Sequence, residues 1–480
     1  MVLTPSFARW FAFSSETSTI ELRAPVHPGA YSMNAKDQPL EGSRQLLEYF
    51  HDSETARVDW RVGTEHEKIG VYADTGDRVP YEGPYGIGAL LEKIALAIGW
   101  DRVDESGHLI ALVHDGASVT LEPGGQIELS GAPLRTARET CSEFNTHVDL
   151  VKELSDDFGI AWLGLGIDPF HEVAEIPTMP KRRYEIMRNY LPTRGGHGLE
   201  MMHATATVQA NFDYSDEADM IEKMRVALVA TPIVSALFGN SSLSGGKENG
   251  YVSKRLVIWR DTDPDRCGLI PFVMDPDFGY EKYTEWALDV PIFFVIRDGA
   301  YHPGDGTTFR QFMNHGFDGL QATLGDWDMH LTTLFPDVRL KRIIEVRGAD
   351  TVPRDLICAL PALWKGILYD AGAREGIWRL LGETTAEELD AGQLDVARIG
   401  LRAKLGSHSV LDLAREIVAC SSEGLARIAE AGETDQDERN FLDPLLAQIE
   451  RGISPGEEIA QRWRGEWGQS WQKLIEATRY

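Results

Sequence analysis

The stretch VDWRVGTEHEKIGVYAD (58–74) contains the pattern on which the fold prediction depends. It reads as a β-strand, yet TEHEK (64–68) places two glutamates only two residues apart. Residues two apart in a strand point to the same face of the sheet, so Glu65 and Glu67 would project side by side. Adjacent carboxylates repel each other unless a cation or a shared proton lies between them. Alone, such a pair is more typical of a solvent-exposed strand face than of half a metal site.

Three other segments show the same alternation of polar and apolar residues. They are VTLEPGGQIELSG (119–131), HATATVQANFD (203–213) and LKRIIEVRGAD (340–350). In the first segment, the polar residues share a face if the strand continues across Pro-Gly-Gly (123–125). The polar rows of these segments contain Thr120, Glu122, Gln126, Glu128, Thr205, Thr207, Gln209, Asn211, Glu345 and Arg347.

Four polar rows weaken the interpretation as an exposed sheet face, because these rows are rich in Glu, Gln and Asn. If their five carboxylates line one cavity, they need compensating cations. Hard divalent ions prefer oxygen ligands, and Mg²⁺ usually binds through a few carboxylates together with substrate phosphates. The pattern therefore predicts a magnesium site with a nucleoside triphosphate as co-ligand. The five carboxylates are Glu65, Glu67, Glu122, Glu128 and Glu345.

Two basic segments would supply the opposing positive charge. They are MPKRRYEIMRNYLP (179–192) and SGGKENGYVSKRLVIWRDTD (244–263). Cations that face metal-bound phosphates are what phosphoryl transfer requires. Each of these residues taken alone is more typical of a surface cation.

Composition limits the classes of partner. The 480 residues contain 47 Lys and Arg against 75 Asp and Glu, a formal charge of 47 − 75 = −28. This charge argues against nucleic acid or an anionic membrane as the main partner, and no apolar run approaches the length of a membrane span. Four cysteines without a CxxC spacing are not a disulfide framework, so we expect a reducing compartment and a cytoplasmic location.

The order of predicted elements favours an α+β fold. We predict helices at 43–52, 86–100, 136–159 and 215–240, with mainly helical structure over 355–480. We predict strands at 57–73, 109–131, 160–169, 203–215 and 340–350, and a long loop at 239–280. Strands that alternate polar with apolar residues favour an antiparallel or mixed sheet with one face exposed to a cavity. Residues 1–32 are predicted to be a disordered leader or an over-long start assignment, and 33–480 a single catalytic domain whose sheet-bearing core covers about 57–350.

The motifs resemble those of the plant and proteobacterial glutamate–cysteine ligases. The matching stretches include GTEHEK (63–68), LEPGGQIELSGAP (121–133), GGHGLEMMHATATVQANFD (195–213), NGYVSKRLVIWRDTD (249–263) and CALPALWKG (358–366). They follow the family order from about residue 57 to 370 and continue more weakly to the end. The resemblance implies a glutamine-synthetase-like half-barrel of antiparallel strands that binds ATP and Mg²⁺. It also implies ligation of L-glutamate, through its γ-carboxylate, to L-cysteine.

The resemblance also implies roles for individual residues. The metal ligands would be Glu65, Glu67, Glu122, Gln126, Glu128 and Glu345. ATP would contact Lys181, Arg183, Arg188, Lys247 and Arg347. Substrate contacts would come from Arg255, Met202, Thr205 and Trp259, with Arg255 on the glutamate α-carboxylate because a planar guanidinium binds a carboxylate bidentately. The catalytic residues would be Arg347, Arg255 and Lys68.

Several alternatives stay open at this point. A related ligase with another amine acceptor would carry the same strands, and a non-catalytic acidic protein or a carboxylate-based hydrolase are further readings. The partners are expected to be small molecules, and the chain a monomer or a homodimer. Cys141 and Cys358 lie in motifs that carry cysteines in the plant relatives, so they could approach each other; the alternative is two reduced, buried thiols. Cα atoms more than about 7 Å apart would rule out a bridge.

Overall fold

The central element of the fold is strand β1 (Val62–Tyr72), which contains TEHEK. The structure is a computed structural model that describes residues 38–480, so the predicted leader lies outside the described residues. β1 pairs antiparallel with three other strands of a nine-stranded sheet. The other strands are β2 (Asp101–Glu105), β3 (His108–His114), β4 (Ala117–Leu121), β5 (Ile127–Ser130), β6 (Ile160–Leu163), β7 (Thr207–Phe212), β8 (Val338–Leu340) and β9 (Ile344–Asp350).

The strand order places the acidic segments next to one another. It runs β8-β9-β7-β1-β5-β4-β3-β2, with β6 paired to the last residues of β1, and neighbouring strands are antiparallel throughout. Short two-stranded ribbons lie outside this sheet at 243–244 with 247–248, 267–268 with 335–336, 294–297 with 300–303, and 404–405 with 408–409. The predicted antiparallel sheet is confirmed.

Helices cover the apolar face of the sheet. The ring of Phe144 lies 4.5 Å from that of His66 on β1, and the ring of Tyr369 lies 5.4 Å from that of Phe212 on β7. The helices are α1 (Arg44–His51), α2 (Ile87–Ile98), α3 (Ala137–Asp156), α4 (Arg182–Tyr190), α5 (Gly198–Ala204), α6 (Glu217–Leu237), α7 (Lys254–Arg260), α8 (Tyr280–Asp289), α9 (Phe309–His315), α10 (Leu324–Thr332), α11 (Arg354–Ile357), α12 (Ala359–Leu368), α13 (Ala371–Leu381), α14 (Ala386–Ile399), α15 (Val410–Glu430), α16 (Asp443–Arg451), α17 (Pro455–Arg464) and α18 (Trp471–Thr478). The α+β class and the helical C-terminal region are therefore confirmed.

Local sequence explains where several helices begin. Thr136 and Glu139 form a reciprocal capping box at the start of α3, which satisfies two backbone N–H groups. Asp216 accepts a hydrogen bond from the backbone N–H of Asp219 at the start of α6. Helix α2 ends at Gly99, whose φ of 69° is the left-handed conformation typical of a helix end.

The predicted strand at 109–131 is divided into three strands. A tight turn follows Leu121, in which the N–H of Glu122 bonds the carbonyl of Gln126 and the N–H of Gly125 bonds the carbonyl of Glu122, both at 2.9 Å. Gly125 adopts a φ of +85°, which a residue without a side chain reaches at little cost. The turn keeps the predicted alignment of polar residues, because Thr120 lies opposite Glu128 across the β4–β5 hairpin.

Two other boundaries differ from the prediction. The predicted strand 203–215 starts only at Thr207, since α5 occupies the preceding turn. The predicted loop 239–280 contains helix α7, whose seven residues are too few for a reliable helical pattern between flanking Gly and Asp residues. Within 38–480, no single helix is long and apolar enough to cross a membrane; the pair Arg354–Leu368 and Ala371–Leu381 passes that test only together, across a 90° bend.

A disulfide joins the helix behind the sheet to the C-terminal helices. Cys141 lies on α3 and Cys358 directly precedes α12, and their Cα atoms are 5.4 Å apart. The predicted approach of the two cysteines is confirmed, and the alternative of two separate thiols is wrong for this structure. Cys267 and Cys420 are free thiols.

We expect reduction of this disulfide to destabilise the folded protein. The bond closes a loop across a sequence separation of 217 residues, and loss of a native disulfide lowers the free energy of unfolding by about 2–4 kcal/mol. Thermal melts with and without dithiothreitol measure the effect. Cys141→Ser should melt like the reduced wild type and ignore the reductant, whereas Cys420→Ser should keep the full response. A melting temperature that is unchanged by reductant in the wild type would contradict this expectation.

Candidate active site

The odd-numbered residues of β1 face the same side as the polar rows of its neighbours. Glu67 lies opposite Glu128 on β5, and Glu65 lies opposite Gln209 on β7. One strand further, Asn211 of β7 lies opposite Glu345 of β9. The polar rows predicted from separate segments therefore meet on one face of one sheet.

Burial makes this acidic face electrostatically unfavourable. Burial and the nearby Glu345 and Glu128 carboxylates raise the pKa of Glu65 to about 7. Burial and Glu122 raise the pKa of Glu128 to about 7 as well. The pKa of Glu67 is raised well above its usual range by burial and by Glu122 and Glu128. A bound cation stabilises the ionised form of buried carboxylates whose pKa is raised in this way.

Few hydrogen bonds offset that repulsion. The Thr120 hydroxyl donates to Glu128 at 2.8 Å, and the backbone N–H of Thr207 donates to Glu67 at 2.9 Å. The Asn211 amide donates to Glu65 at 3.1 Å. These bonds orient the side chains but bring no positive charge to them.

Glu345 differs from the other carboxylates because three cations surround it. Arg339 approaches it at 2.7 Å and Lys341 at 2.9 Å, and Arg347 forms a third ion pair. Burial opposes its ionisation, but these cations outweigh burial and hold the pKa of Glu345 well below its usual range. Arg339 and Lys341 were missed by the sequence analysis. A hairpin between β8 and β9 would have revealed Arg339, since it lies directly opposite Glu345.

The oxygen donors on this face fit a hard divalent ion. Two buried oxygen atoms, Gln126 Oε1 and Asn211 Oδ1, have no hydrogen-bond partner. Across 38–480, no three His, Cys, Asp or Glu side chains converge closely enough to enclose a metal. Magnesium usually takes one or two protein carboxylates and completes its shell with water and substrate phosphates. The neighbouring pair Glu67 and Glu128 matches that type of site.

Two arginines and a tryptophan form a compact cluster beside the carboxylates. The guanidinium of Arg255 lies 5.0 Å from the Trp259 ring centre and that of Arg347 lies 5.3 Å from it. Arg255 also donates to the carbonyl of Arg347 at 2.9 Å. Their buried Nε atoms and the indole N–H have no hydrogen-bond partner. Unpaired buried donors of this kind indicate an anion-binding pocket.

Asp350 anchors the segment that carries Arg255. Its carboxylate accepts hydrogen bonds from the hydroxyl of Ser241 at 2.7 Å and that of Ser253 at 3.0 Å. It also lies 3.9 Å from the guanidinium of Arg255. Sequence analysis missed this residue, because its partners lie about a hundred residues away along the chain.

Two further predicted substrate residues, Met202 and Thr205, lie on or next to α5. Gln126 donates to the carbonyl of Thr205 at 2.7 Å, which ties the β4–β5 turn to the end of α5. Met202 and Thr205 are both buried. The structure therefore brings Thr205 and Gln126 together.

Three of the predicted phosphate-binding cations lie on or next to α4. Lys181 donates to the carbonyl of Leu121 at 2.7 Å, and burial lowers its pKa to about 8 although Glu122 opposes the shift. Arg183 acts electrostatically on the same Glu122. Arg188 is 2.9 Å from His203 Nε2. The first two cations thus border the acidic face.

The geometry agrees with comparisons to known proteins. The model of the glutamate-cysteine ligase family 2 (GCS2) matches residues 61–477. The chain belongs to this family. The ligase is 43% identical to the chloroplastic glutamate–cysteine ligase of Solanum lycopersicum, over 92% of this chain and 83% of the relative. It is 40% identical to the chloroplastic glutamate–cysteine ligase of Medicago truncatula, over 99% of this chain and 94% of the relative. The recognition of the family from its motifs is confirmed.

The expected cytoplasmic location is wrong in light of these relatives. Those from tomato, Medicago and rice are all described as chloroplastic. The expectation depended on the small number of cysteines, which carries no information about the compartment.

The fold is also that of a solved ligase. Glutamate–cysteine ligase from Francisella tularensis, in complex with AMP, superposes with a TM-score of 0.51, covering 88% of this chain and 87% of that chain at 11% identity. This similarity confirms the predicted fold.

Two cations assigned to the site lie elsewhere in the ligase. Lys68 has the opposite parity to Glu65 and Glu67, so it points to the other face of β1, where its ammonium lies 5.8 Å from the Phe144 ring centre. Burial lowers the pKa of Lys68 to about 7 against the opposing effect of Glu128. Lys247 is exposed on the ribbon at 243–248. The position of Lys68 therefore does not support its catalytic assignment, and that of Lys247 does not support an ATP contact.

The raised pKa of Glu65 predicts how stability depends on pH. Its folded-state pKa of about 7 lies above the value of an unfolded glutamate, so ionisation destabilises the fold as pH rises from about 4.5 to 7. Without metal, Glu65→Gln should gain stability relative to the wild type by on the order of 3 kcal/mol over this range.

Denaturant titrations at pH 5 and pH 8 check this expectation. Glu476→Gln, a change at an exposed glutamate, serves as the matched control and should follow the wild type. Parallel stability curves for the wild type and Glu65→Gln would show that Glu65 is not in a repulsive buried environment.

Proposed function

We propose that this protein ligates L-glutamate, through its γ-carboxylate, to L-cysteine with hydrolysis of ATP to ADP and phosphate. The observation that carries the proposal is the meeting of an acidic row with an arginine pocket on one sheet. Arg347 joins the two, since its Nη1 bonds Gln209 at 2.5 Å and also pairs with Glu345. Relatives at 40–43% identity over most of the chain are glutamate–cysteine ligases, which supports the same reaction here.

The reaction requires two anions to approach each other. In the first step, a γ-carboxylate oxygen of glutamate attacks the γ-phosphorus of ATP, forming an acyl phosphate while ADP leaves. In the second step, the amine of cysteine attacks the acyl carbon, phosphate leaves, and the amine loses a proton. Carboxylate and triphosphate repel each other, so the protein must supply fixed positive charge where the phosphoryl group moves.

The arginine pocket supplies this charge. Arg347 would face the transferred phosphoryl group, because Glu345 and Gln209 hold its guanidinium at the edge of the acidic row. Arg255 would bind the α-carboxylate of glutamate through a bidentate contact. Lys181 and Arg183, which act electrostatically on Glu122, would contact the ATP phosphates.

The acidic row would hold magnesium ions that accompany ATP. The residues proposed to hold them are Glu65, Glu67, Glu122, Gln126, Glu128 and Glu345. A bound magnesium ion neutralises phosphate charge and thereby lowers the barrier to attack by a carboxylate. Until it binds, Thr120 and Thr207 keep the Glu128 and Glu67 side chains oriented by hydrogen bonds.

Contacts with the wall of the pocket would select the substrate by its shape. Met202, Thr205 and Trp259 are the proposed contacts, and the Trp259 ring lies close to both guanidinium groups. We also propose that 33–480 act as one catalytic domain. A continuous hydrophobic core that includes both Leu46 and Tyr480 supports this arrangement.

Phosphate release tests the reaction directly. With ATP, Mg²⁺ and glutamate, release should depend on added cysteine, and γ-glutamylcysteine should accumulate in equal amount. Release with another amine but not with cysteine would keep the ligase chemistry and change the acceptor. Absence of release with glutamate and any amine would refute the proposed function.

Arg255→Lys tests the binding of glutamate. A lysine keeps the charge but loses the bidentate geometry, so we expect the KM for glutamate to rise by about ten- to a hundredfold, equivalent to about 1.5–3 kcal/mol. The KM for ATP should change much less. Arg415→Lys, on the exposed surface of α15, is the matched control. Equal increases in the KM values for glutamate and for ATP would show that Arg255 does not bind glutamate.

A further inference from the structure

Lys68 is an exception among the buried cations of residues 38–480. Every other buried arginine or lysine lies within 4.0 Å of a carboxylate oxygen, whereas Lys68 has no such ion pair. The paired residues are Arg78, Lys223, Arg255, Arg266, Arg339, Arg347, Lys365 and Arg374. A buried ammonium without a counter-charge is strongly disfavoured, so an anion beside Lys68 would stabilise its charged form.

The protein contacts of Lys68 leave most of its donor capacity unused. Its ammonium donates to the carbonyl of His66 at 2.9 Å and lies 5.8 Å from the Phe144 ring centre. An ammonium group has three N–H donors. The carboxylates of Glu67 and Glu128 act on it only from the opposite face of the sheet.

The side chain also borders a cavity. This cavity, of about 90 Å³, lies between β1, β6, α3 and the end of the chain. Val151 and Trp162 contribute to its wall, and Lys152, Asp156 and Arg479 line it as exposed side chains. Three cations and one carboxylate therefore surround the space, about half of which is bounded by apolar atoms.

The volume of this cavity limits the size of the ligand that it can bind. Water occupies about 30 Å³ per molecule in the liquid, so the cavity holds the equivalent of about three waters. A single carboxylate or phosphate group fits this space, whereas a nucleotide does not.

We propose that this cavity is a binding site for a small oxyanion, a carboxylate or phosphate group that pairs with Lys68. Lys152 and Arg479 attract the anion at the entrance, and the ammonium of Lys68 binds it at the inner end. The site is separate from the catalytic face, because Lys68 and Glu67 project from opposite sides of β1. Such an anion gives Lys68 an ion pair, which every other buried cation of 38–480 forms with a carboxylate of the protein.

Titration calorimetry with inorganic phosphate tests the site. The catalytic face is first saturated with Mg²⁺, glutamate and a non-hydrolysable ATP analogue, so that phosphate meets only the cavity. The wild type should bind one phosphate. Lys68→Met should lose binding, since methionine keeps the side-chain length without the charge. Arg479→Gln and Lys152→Gln should each raise the Kd about three- to tenfold, while Lys404→Gln, at an exposed lysine on the ribbon 404–409, should bind like the wild type.

A second titration with acetate distinguishes the two sources of the oxyanion. Binding of acetate alone or of phosphate alone, lost in Lys68→Met, identifies the group that the site takes. Binding of neither anion to the wild type would show a water-filled cavity and overturn the proposal. Binding that is unchanged in the Arg479→Gln, Lys152→Gln double variant would also overturn it, and this variant stays informative if Lys68→Met fails to fold.

Discussion

The pairing of β1 on both sides is the constraint on which the site depends. β5 fixes Glu67 opposite Glu128, and β7 fixes Glu65 opposite Gln209. Because side chains alternate along a strand, a shift of one residue would move every side chain to the other face. The same register that brings the carboxylates together therefore sends His66 and Lys68 against α3. One eleven-residue strand thus separates a catalytic face from an apolar, helix-covered face.

The buried carboxylates of the acidic face differ in how far the protein compensates their negative charge. Glu345 is neutralised within the protein by Arg339, Lys341 and Arg347. Glu65, Glu67 and Glu128 accept hydrogen bonds from neutral donors, and the nearby cations do not offset burial, so the pKa of each of these carboxyls stays raised. The protein alone thereby leaves this part of the face electrostatically unfavourable, which is consistent with the proposed binding of metal-bound ATP. Such a trade of stability for function is common at active sites.

Much of this arrangement was predictable from alternation in the sequence. The polar rows, the antiparallel sheet and the facing of Glu65 with Glu67 follow from a period of two. The same parity places Lys68 on the other face, and the motif resemblance alone had suggested a catalytic role for it. Pro-Gly-Gly marks a possible interruption in the sequence, and the structure forms a turn there in which the pairing of Thr120 with Glu128 preserves the shared face.

What the sequence did not reveal depends on contacts between distant residues. The ion pair between Arg339 and Glu345 can be predicted only if β8 and β9 are known to form a hairpin. Asp350 binds Ser241 and Ser253, which are 109 and 97 residues away. Helix α7, which carries Arg255 and Trp259, is too short to stand out from its loop. Propensity and spacing describe local structure, whereas these features arise from tertiary packing.

The position of bound metal tests the central claim most directly. Crystals grown with Mn²⁺ in place of Mg²⁺ and a non-hydrolysable ATP analogue would locate the metal by anomalous diffraction. We expect manganese on the face that carries Glu65, Glu67 and Glu128, between these carboxylates and the analogue's phosphates. Manganese bound elsewhere, with this face empty while the analogue is present, would contradict it.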